Sequence, residues 1–411
     1  MAGKAWEVEG RWFTSPWNYL DEAREGLNLP ERVYFHDITL RDGEQQAGIA
    51  LTRDDKVTIA RRLADAGVDR IEAGMPIVSP QDEAAIKDIV QLDLGPQVFA
   101  FARCMVDDIK RAKDCGVSGV VIEIPSSGHM LERAYGWPLD RAIKLSIEAT
   151  LAAREEGLET VFFTIDSSRA EFDWYLDLVE RIGNEGHMDA LALVDTTGGV
   201  APHAIPVWVD KVRDRLPGVR LEAHFHDDFG LAVANSLSAI AVGVEVVHTT
   251  VTGVGERAGN CPMEELALAL RMLYGVEHGL QTEEFYSLSR LVRERTGHSI
   301  PSNRAAVGER LFEIESGIIA GWYERCIDDH PTEVFPYHWD VVGQPPARVV
   351  YGKGSGLPSV ALALKALGLS ADDDQMRTVL GTIKQRALDT KALLPFEEVA
   401  RIVSEQLKGT G

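Results

Sequence analysis

Two histidines separated by one residue, His224 and His226, are the residues of this sequence best suited to chemistry. They lie in the run Leu221-Glu-Ala-His-Phe-His-Asp-Asp-Phe-Gly, and side chains two apart on a β-strand point to the same face. Two imidazoles on one face can bind one metal ion, and a carboxylate can complete the site. The best candidate is Asp42, which follows an apolar, strand-like run over residues 33–40. We therefore predict a divalent metal site with positions left open for substrate.

The composition disfavours several classes of partner. The chain has 411 residues, of which 45% are hydrophobic and 26% charged, as in an ordinary globular enzyme. Its 42 basic and 64 acidic residues give a formal net charge of −22, which argues against nucleic acid and anionic membranes as main partners. The four cysteines show no metal-binding spacing, and we recognise no signal peptide or membrane span. We therefore expect a cytoplasmic enzyme.

A loose repeat between residues 30 and 290 predicts the fold. A helix-like stretch ends at a glycine and a β-rich run follows, at Gly67, Gly116, Gly157, Gly186 and Gly243. A glycine just past a helix end fits a left-handed cap. Eight strand candidates result: 33–40, 70–76, 97–103, 119–125, 160–166, 190–196, 220–226 and 246–252. Eight βα units predict an α/β fold of the TIM-barrel type, (β/α)8. A doubly wound sheet is the alternative, but no Gly-x-Gly-x-x-Gly follows the first strand candidate.

The character of the chain changes outside this repeat. Residues 1–30 form a predicted N-terminal arm that is rich in tryptophan, and residues 31–290 form the predicted barrel. Residues 291–411 are predicted to form a small, mainly helical C-terminal subdomain, which we expect to pack on the barrel or to reach over its mouth. Within it, only residues 358–407 have apolar residues at helical spacing.

Polar residues cluster where the strand candidates end, which is where the active site of a TIM barrel lies. They are Arg41, Asp42, Glu72, Arg103, Ser126, Ser127, His129, Asp166, Asp195, Thr196, His224, His226 and Asn260. Strand-end polar residues are often only turn formers. Their convergence with the two histidines on one rim favours the metal site.

Three runs carry a resemblance to a known family. Thr39-Leu-Arg-Asp-Gly-Glu-Gln45, the run from His224 to Asn235 and Gly253-Val-Gly-Glu-Arg-Ala-Gly-Asn260 resemble the signatures of metal-dependent barrels. That family includes 2-isopropylmalate, homocitrate and citramalate synthases within the HMG-CoA lyase-like superfamily. Gly352-Lys-Gly-Ser-Gly356 is similar to the linker subdomain of those synthases. The resemblance implies a divalent metal ion (Mg, Mn, Zn or Co), a homodimer, and condensation of an acyl-CoA, most of all acetyl-CoA, with a 2-oxo acid. CoA and an alkylmalate-like acid would be released.

The resemblance also implies roles for individual residues. The metal ligands would be Asp42, His224, His226 and Asn260. Arg41 would stabilise the alkoxide that develops on the 2-oxo acid, and Thr196 would bind its carboxylate. Glu72 would be a catalytic residue that lines the pocket together with His129, and Gln45, Arg103 and His129 would be the remaining substrate-binding residues.

Two departures from the synthase pattern leave the reaction open. Ile319 stands where the synthases have a histidine that assists acyl-CoA deprotonation, and Ile165 stands where they have a glutamate after strand 5. One explanation is that Tyr337 or His338 supplies the base. The other is the reverse reaction, cleavage of a hydroxy acid by a lyase or aldolase. HMG-CoA lyases have a Gly-Gly-Cys run, whereas Cys261 follows a synthase-like loop here.

Two further classes fit less well. A biotin-dependent carboxyltransferase shares this barrel type, but no Met-Lys-Met biotin site is present. A binding protein on a catalytically inactive barrel would explain the two isoleucines. It would leave the presence of Arg41 and all the metal-binding residues unexplained.

Overall fold

Eight parallel strands close on one another in the computed structural model, which describes residues 4–408. They are β1 Arg32–Asp37, β2 Arg70–Glu72, β3 Gln97–Arg103, β4 Gly119–Pro125, β5 Glu159–Ile165, β6 Ala190–Asp195, β7 Arg220–Phe225 and β8 Val246–Thr249. Each strand pairs with the next along the chain, and β8 pairs in parallel with β1, with Val246 opposite Tyr34. The predicted TIM barrel and its eight strands are confirmed.

Helices follow the strands. They are α1 Arg53–Asp65, α2 Pro80–Gln91, α3 Val106–Asp114, α4 Leu139–Glu155, α5 Phe172–Glu185, α6 Ile205–Arg215, α7 Ala232–Ile240, α8 Met263–Ala269 and α9 Phe285–Thr296. A capping box opens α1: the Thr52 hydroxyl accepts from the Asp55 amide, and the Asp55 carboxylate accepts from the Thr52 amide. Among the described residues, no helix has the length and apolar character needed to cross a membrane.

Glycines end the helices of the repeat in two ways. Gly67, Gly116, Gly157 and Gly243 have φ between +70° and +86°, so the predicted left-handed cap is confirmed at these positions. The prediction is wrong at Gly186, which has φ −105°. A Cβ at Gly186 would come within 2.6 Å of the Thr150 hydroxyl. Close packing, rather than a left-handed conformation, therefore accounts for that glycine.

The barrel interior contains an apolar layer and a buried polar chain. The apolar layer consists of Phe99, Phe101, Val121, Val161, Phe163, Ala190, Ala192 and Val194. In the polar chain, Glu222 accepts from Arg70 at 2.8 Å and lies 3.0 Å from His248 Nε2. His36 Nε2 lies 3.4 Å from Glu72. Buried charges need partners of opposite charge, and arginines supply them here, Arg70 for Glu222 and Arg41 for Glu72.

A second compact unit contains residues 4–16 together with 301–408, while residues 17–300 form the unit with the barrel. Residues 1–3 and 409–411, which fall within the predicted arm and C-terminal subdomain, lie outside the described residues. The helices of the second unit are α10 Gly317–Cys326, α11 Leu357–Leu367, α12 Asp373–Thr390 and α13 Phe396–Lys408. The predicted helical C-terminal region is confirmed.

One helix of the second unit, α10, lies in a stretch without clear periodicity. Gly317 sits against Gly356, where a Cβ would come 2.5 Å from the Gly356 Cα, and Gly321 faces Pro358. Small residues therefore let α10 approach α11 closely. This tertiary contact offsets the poor helix propensity of glycine, and it has no signal in the local sequence.

Candidate metal centre and substrate pocket

Asp42, His224 and His226 converge at the carboxyl ends of β1 and β7. One ligand atom from each lies within 4.8 Å of the others, and all three side chains are buried. The two Nε2 atoms are 3.3 Å apart. Burial lowers the pKa of His224 well below its usual value and lowers that of His226 as well. Both imidazoles are therefore kept neutral, which is the form that binds metal.

Neighbouring groups orient these side chains. His226 Nδ1 lies 3.1 Å from the Gly259 carbonyl oxygen, so its tautomer is set by that contact. Asn260 Nδ2 donates to Asp42 Oδ1 at 2.8 Å. Asn260 Oδ1 and His224 Nδ1 are buried without a hydrogen-bond partner among the described residues. Unpaired buried polar atoms are costly, and a cation beside Asn260 Oδ1 would offset that cost for the amide oxygen. The residues present therefore fit a divalent metal ion.

The glycine-rich loop after β8, residues 253–260, packs against the metal-binding residues. Gly255 has φ +156°, and a Cβ there would overlap Asn260 Nδ2 and lie 3.4 Å from Asp42 Oδ1. An isolated backbone bridge also joins His226 to Asn260. The loop is thus a tight turn that holds Asn260 against Asp42, and only glycine leaves room for it.

Arg41 lies beside the metal-binding residues and is fixed on several sides. Its Nε contacts Glu72 and its Nη1 contacts Asp42. Its guanidinium carbon lies 3.9 Å from the centroid of the Phe101 ring, while Nη2 has no hydrogen-bond partner in the described part of the chain. Although burial alone would raise the pKa of Glu72, Arg41 and His36 hold it at about 2. Glu72 is therefore a buried anion that positions Arg41, rather than a residue lining an open pocket.

A second group in the barrel could also hold a metal ion by proximity alone. The ligand atoms of His36, Glu222 and His248 lie within 4.8 Å of one another. Glu222 already has two guanidinium partners, Arg70 at 2.8 Å and Arg220 at 3.2 Å. Burial and the neighbouring His248 lower the pKa of His36 to about 4. Glu222 of this lower group therefore has two arginine partners, whereas Asp42 has one, Arg41. The lower group lies within β1, β7 and β8, whereas Asp42 and His226 follow the carboxyl ends of β1 and β7.

Thr196 and Asp166 face each other where β5 and β6 end. The Thr196 hydroxyl accepts from the Asp166 amide at 2.7 Å, which leaves its own proton for another acceptor. Asp166 has φ +65°, and its buried carboxylate lies 2.6 Å from the Ser127 hydroxyl and 3.2 Å from His129 Nε2. Asp166 was predicted to lie on the rim, without an assigned role. A carboxylate thus stands directly after Ile165.

Two of the predicted substrate-binding residues, Arg103 and Gln45, lie at the rim of the barrel, where Arg103 binds a neighbouring carboxylate. The half-exposed Arg103 donates from Nε and Nη2 to Asp108 at 2.8 and 3.0 Å. Gln45 is exposed at the end of the short turn Gly43–Gln45. The backbone N–H of Gln45 donates to the Asp42 carbonyl oxygen at 3.0 Å, but neither the Gln45 nor the Arg103 side chain has a hydrogen bond to the metal-binding side chains among the described residues.

Tyr337 and His338 belong to the second unit. Tyr337 forms a backbone bridge with Trp12. His338 stacks on Trp339 with ring centroids 3.8 Å apart, and its Nδ1 accepts from the Asp340 amide at 3.3 Å. Their role as a base remains a prediction from the sequence.

Glu123 is a charged residue of the barrel interior that the sequence analysis did not single out. It lies on β4, between Arg103 of β3 and Phe163 of β5 in the strand register. Burial raises its pKa to about 7, and the charges of Arg41 and Arg103 oppose this shift only in part. The signal was available in the sequence, because Glu123 interrupts the apolar run Gly119-Val-Val-Ile-Glu-Ile-Pro125.

Comparison with known proteins supports the resemblance. The HMGL-like family model matches residues 32–292. The chain belongs to the HMGL-like family. The homocitrate synthase AksA of Methanopyrus kandleri is 36% identical over 393 residues, which cover 94% of this chain and 96% of that protein. The 2-isopropylmalate synthase of Methanocaldococcus jannaschii is 36% identical over 357 residues, covering 86% of this chain and 67% of that protein.

Solved structures of other proteins share the barrel fold. The hydroxymethylglutaryl-CoA lyase from Pseudomonas aeruginosa superposes with a TM-score of 0.60 at 22% identity, covering 66% of this chain and 96% of that one. At this identity the likeness concerns the fold alone.

Proposed function

We propose that this protein condenses an acyl-CoA, acetyl-CoA first of all, with a 2-oxo acid and releases CoA and an alkylmalate-like acid. The observation that carries the proposal is the convergence of Asp42, His224 and His226 beside Arg41 at the mouth of the barrel. It is supported by relatives named as synthases that match nearly the whole chain.

Asp42, His224 and His226 would hold one divalent metal ion, with Asn260 next to it. When bound, such an ion supplies a Lewis acid for a substrate carbonyl group. The mixed nitrogen and oxygen donors suit several ions, among them Mn, Co, Zn and Mg. Two contacts keep the donor atoms in place: His226 Nδ1 lies next to the Gly259 carbonyl oxygen, and Asn260 donates a hydrogen bond to Asp42.

Arg41 stabilises negative charge on the keto oxygen during carbon–carbon bond formation. Its Nη2 is the donor left over after Glu72 and Asp42 have bound the other nitrogens. A donor that is fixed in advance costs no reorganisation when charge develops. Thr196 binds the substrate carboxylate with the hydroxyl proton that its contact to Asp166 leaves available.

A base must remove the α-proton of the acyl-CoA. His129 is one candidate, because its ring is partly exposed while Nε2 lies 3.2 Å from the buried Asp166 carboxylate. A base oriented by a buried carboxylate is a recurrent catalytic arrangement. Tyr337 and His338 are the other candidates, and Ile319 in place of histidine is the reason that a substitute is needed.

The test is incubation with acetyl-CoA and a panel of 2-oxo acids, with free thiol and the hydroxy acid product as readouts. The matched control is the double variant His224→Ala, His226→Ala. Thiol release by the wild-type protein alone supports the proposal. Cleavage of a hydroxy acid to a 2-oxo acid without any thiol-releasing condensation would instead make the protein a lyase or aldolase.

A further inference from the structure

Glu123 lies on the side of the barrel opposite the metal-binding residues. Asp42 and His224 are placed by β1 and β7, which flank β8, and β4 is four strands from β8 in either direction around the closed barrel. A 2-oxo acid held at the metal-binding residues by its keto and carboxylate groups therefore directs its variable end towards β4. Glu123 is the charged residue that β4 places there.

The Glu123 side chain points into the barrel. Side chains alternate along a strand, and Val121, two residues earlier, belongs to the apolar layer of the interior. Glu123 lies one level nearer the carboxyl end, next to Phe163, whose ring centroid is 4.8 Å from that of His224. The carboxyl group of Glu123 thus lies between the apolar floor and the mouth of the barrel.

The cations near Glu123 are committed to other groups. Arg41 contacts Glu72 and Asp42, and its remaining nitrogen, Nη2, is the donor assigned above to the keto oxygen. Arg103 donates twice to Asp108. The carboxyl group of Glu123 takes part in none of the side-chain hydrogen bonds or ion pairs of the described residues. A mostly buried carboxyl group without a donor is unfavourable, and a ligand that brings a donor removes that penalty.

We propose that Glu123 determines substrate specificity, and that the pocket takes 2-oxo acids whose distal end carries a hydrogen-bond donor such as a hydroxyl group. This inference rests on the proposed function. A hydrocarbon end would cover Glu123 and leave its carboxyl group unpaired. A distal carboxylate would meet Glu123 with no uncommitted cation between them. Sites built to hydrogen-bond a substrate group discriminate strongly against analogues that lack it. The raised pKa of Glu123, about 7, agrees with a carboxyl group that is poorly solvated.

The test compares three 2-oxo acids on the metal-supplemented, full-length protein. 4-Hydroxy-2-oxobutanoate and 2-oxopentanoate differ by a hydroxyl group in place of a methyl group, and 2-oxoglutarate carries a distal carboxylate. We expect kcat/KM for the hydroxy acid to exceed that for either competitor by about tenfold or more. Glu123→Leu should reverse the preference between the first two acids. Glu123→Gln, which keeps a hydrogen-bond acceptor of the same size, should retain it.

Binding of the same acids, measured by calorimetry, separates the two proposals. Glu155→Leu, on the exposed end of α4, is the matched control and should leave all preferences unchanged. Equal preferences in wild type and in both folded Glu123 variants would overturn the role of Glu123, whether or not thiol is released. A preference in binding that follows Glu123 without thiol release would support this inference and overturn the proposed reaction. Failure of all three acids to bind would overturn both.

Discussion

Arg41 is held by two carboxylates, those of Glu72 and Asp42, and its guanidinium carbon lies 3.9 Å from the centroid of the Phe101 ring. This arrangement fixes the direction of the remaining guanidinium nitrogen before any substrate arrives. A lysine ammonium at the same position is a point charge without the planar fork. It cannot hold both carboxylates and still direct a donor at the substrate.

Arg41→Lys should therefore lower kcat much more than it raises KM. Removal of one donor of the oxyanion-hole type commonly costs about 10²–10³ in kcat, and we expect a loss of that order in thiol release. Arg103→Lys, at the rim, is the comparison, because Arg103 is committed to Asp108. A defect in Arg41→Lys confined to KM would show that the residue binds substrate without stabilising the transition state.

The base can be identified among His129, His338 and Tyr337. General-base assistance is typically worth about 10²–10⁴, so loss of the base should reduce turnover by at least a factor of about ten while metal content is retained. We expect this loss of turnover for His129→Ala. The loss should be smaller for Asp166→Asn, because Asp166 only orients the His129 ring. Deuterium exchange at the acyl-CoA methyl group follows the step directly. Normal exchange in His129→Ala together with its loss in His338→Ala or Tyr337→Phe would assign the base to the second unit.

At the level of elements, the loop from Gly253 to Asn260 connects the end of β8 to the metal-binding residues. Gly255→Ala combines an unfavourable φ with overlap between the new methyl group and Asn260. We expect metal affinity to fall by about 10–100-fold, as is usual when groups that orient ligands are displaced. Gly157→Ala is the control, since its φ is +70° but a methyl group there has no atom within 4 Å.

Metal titration of Gly255→Ala and Gly157→Ala distinguishes the effect of backbone strain from the effect of displacing Asn260. Both should be destabilised by left-handed or related backbone strain, while only Gly255→Ala should bind metal weakly. Equal metal affinity in both variants would mean that the loop does not support the centre.

The sequence pattern predicted strands and helices well where a strand is covered on both faces or a helix begins with a capping box. The strands were recognisable because strands covered on both faces are continuously apolar, and α1 was recognisable from its capping box. The α10 helix was not, because glycine contacts with α11 stabilise it. For a similar reason, Glu123 was missed as a site residue, and Asp166 was placed on the rim without a role. Only closure of the barrel turns Glu123 inwards, and only the turn at Asp166 brings its carboxylate to His129.

At the scale of the whole molecule, the barrel has titratable groups buried in its core. The pKa of His36 is lowered to about 4 by burial, while its ordinary value is 6.5. The unfolded chain therefore binds a proton at His36 between pH 6.5 and pH 4, and the folded chain does not. Stability should be full above pH 6.5 and fall as the pH drops through this window, by roughly 3 kcal/mol for a shift of this size.

Denaturant unfolding at pH 7 and pH 4.5 measures this contribution. Replacement His36→Phe should reduce the loss of unfolding free energy between the two pH values. His187→Phe, at a partly exposed position paired with Asp189, should leave the loss unchanged. An identical pH dependence in wild type and His36→Phe would show that His36 is not buried in its neutral form.

Metal analysis of three purified proteins tests whether one metal ion binds at Asp42, His224 and His226. The proteins are the wild type, the double variant His224→Ala, His226→Ala, and the double variant His36→Asn, His248→Asn in the lower group. We predict about one divalent ion per chain in the wild type and in the folded lower-group variant, and none in the first double variant. If the His224→Ala, His226→Ala variant retained the metal ion, the ion would not bind at Asp42, His224 and His226. The same would follow if only the His36→Asn, His248→Asn variant lost it.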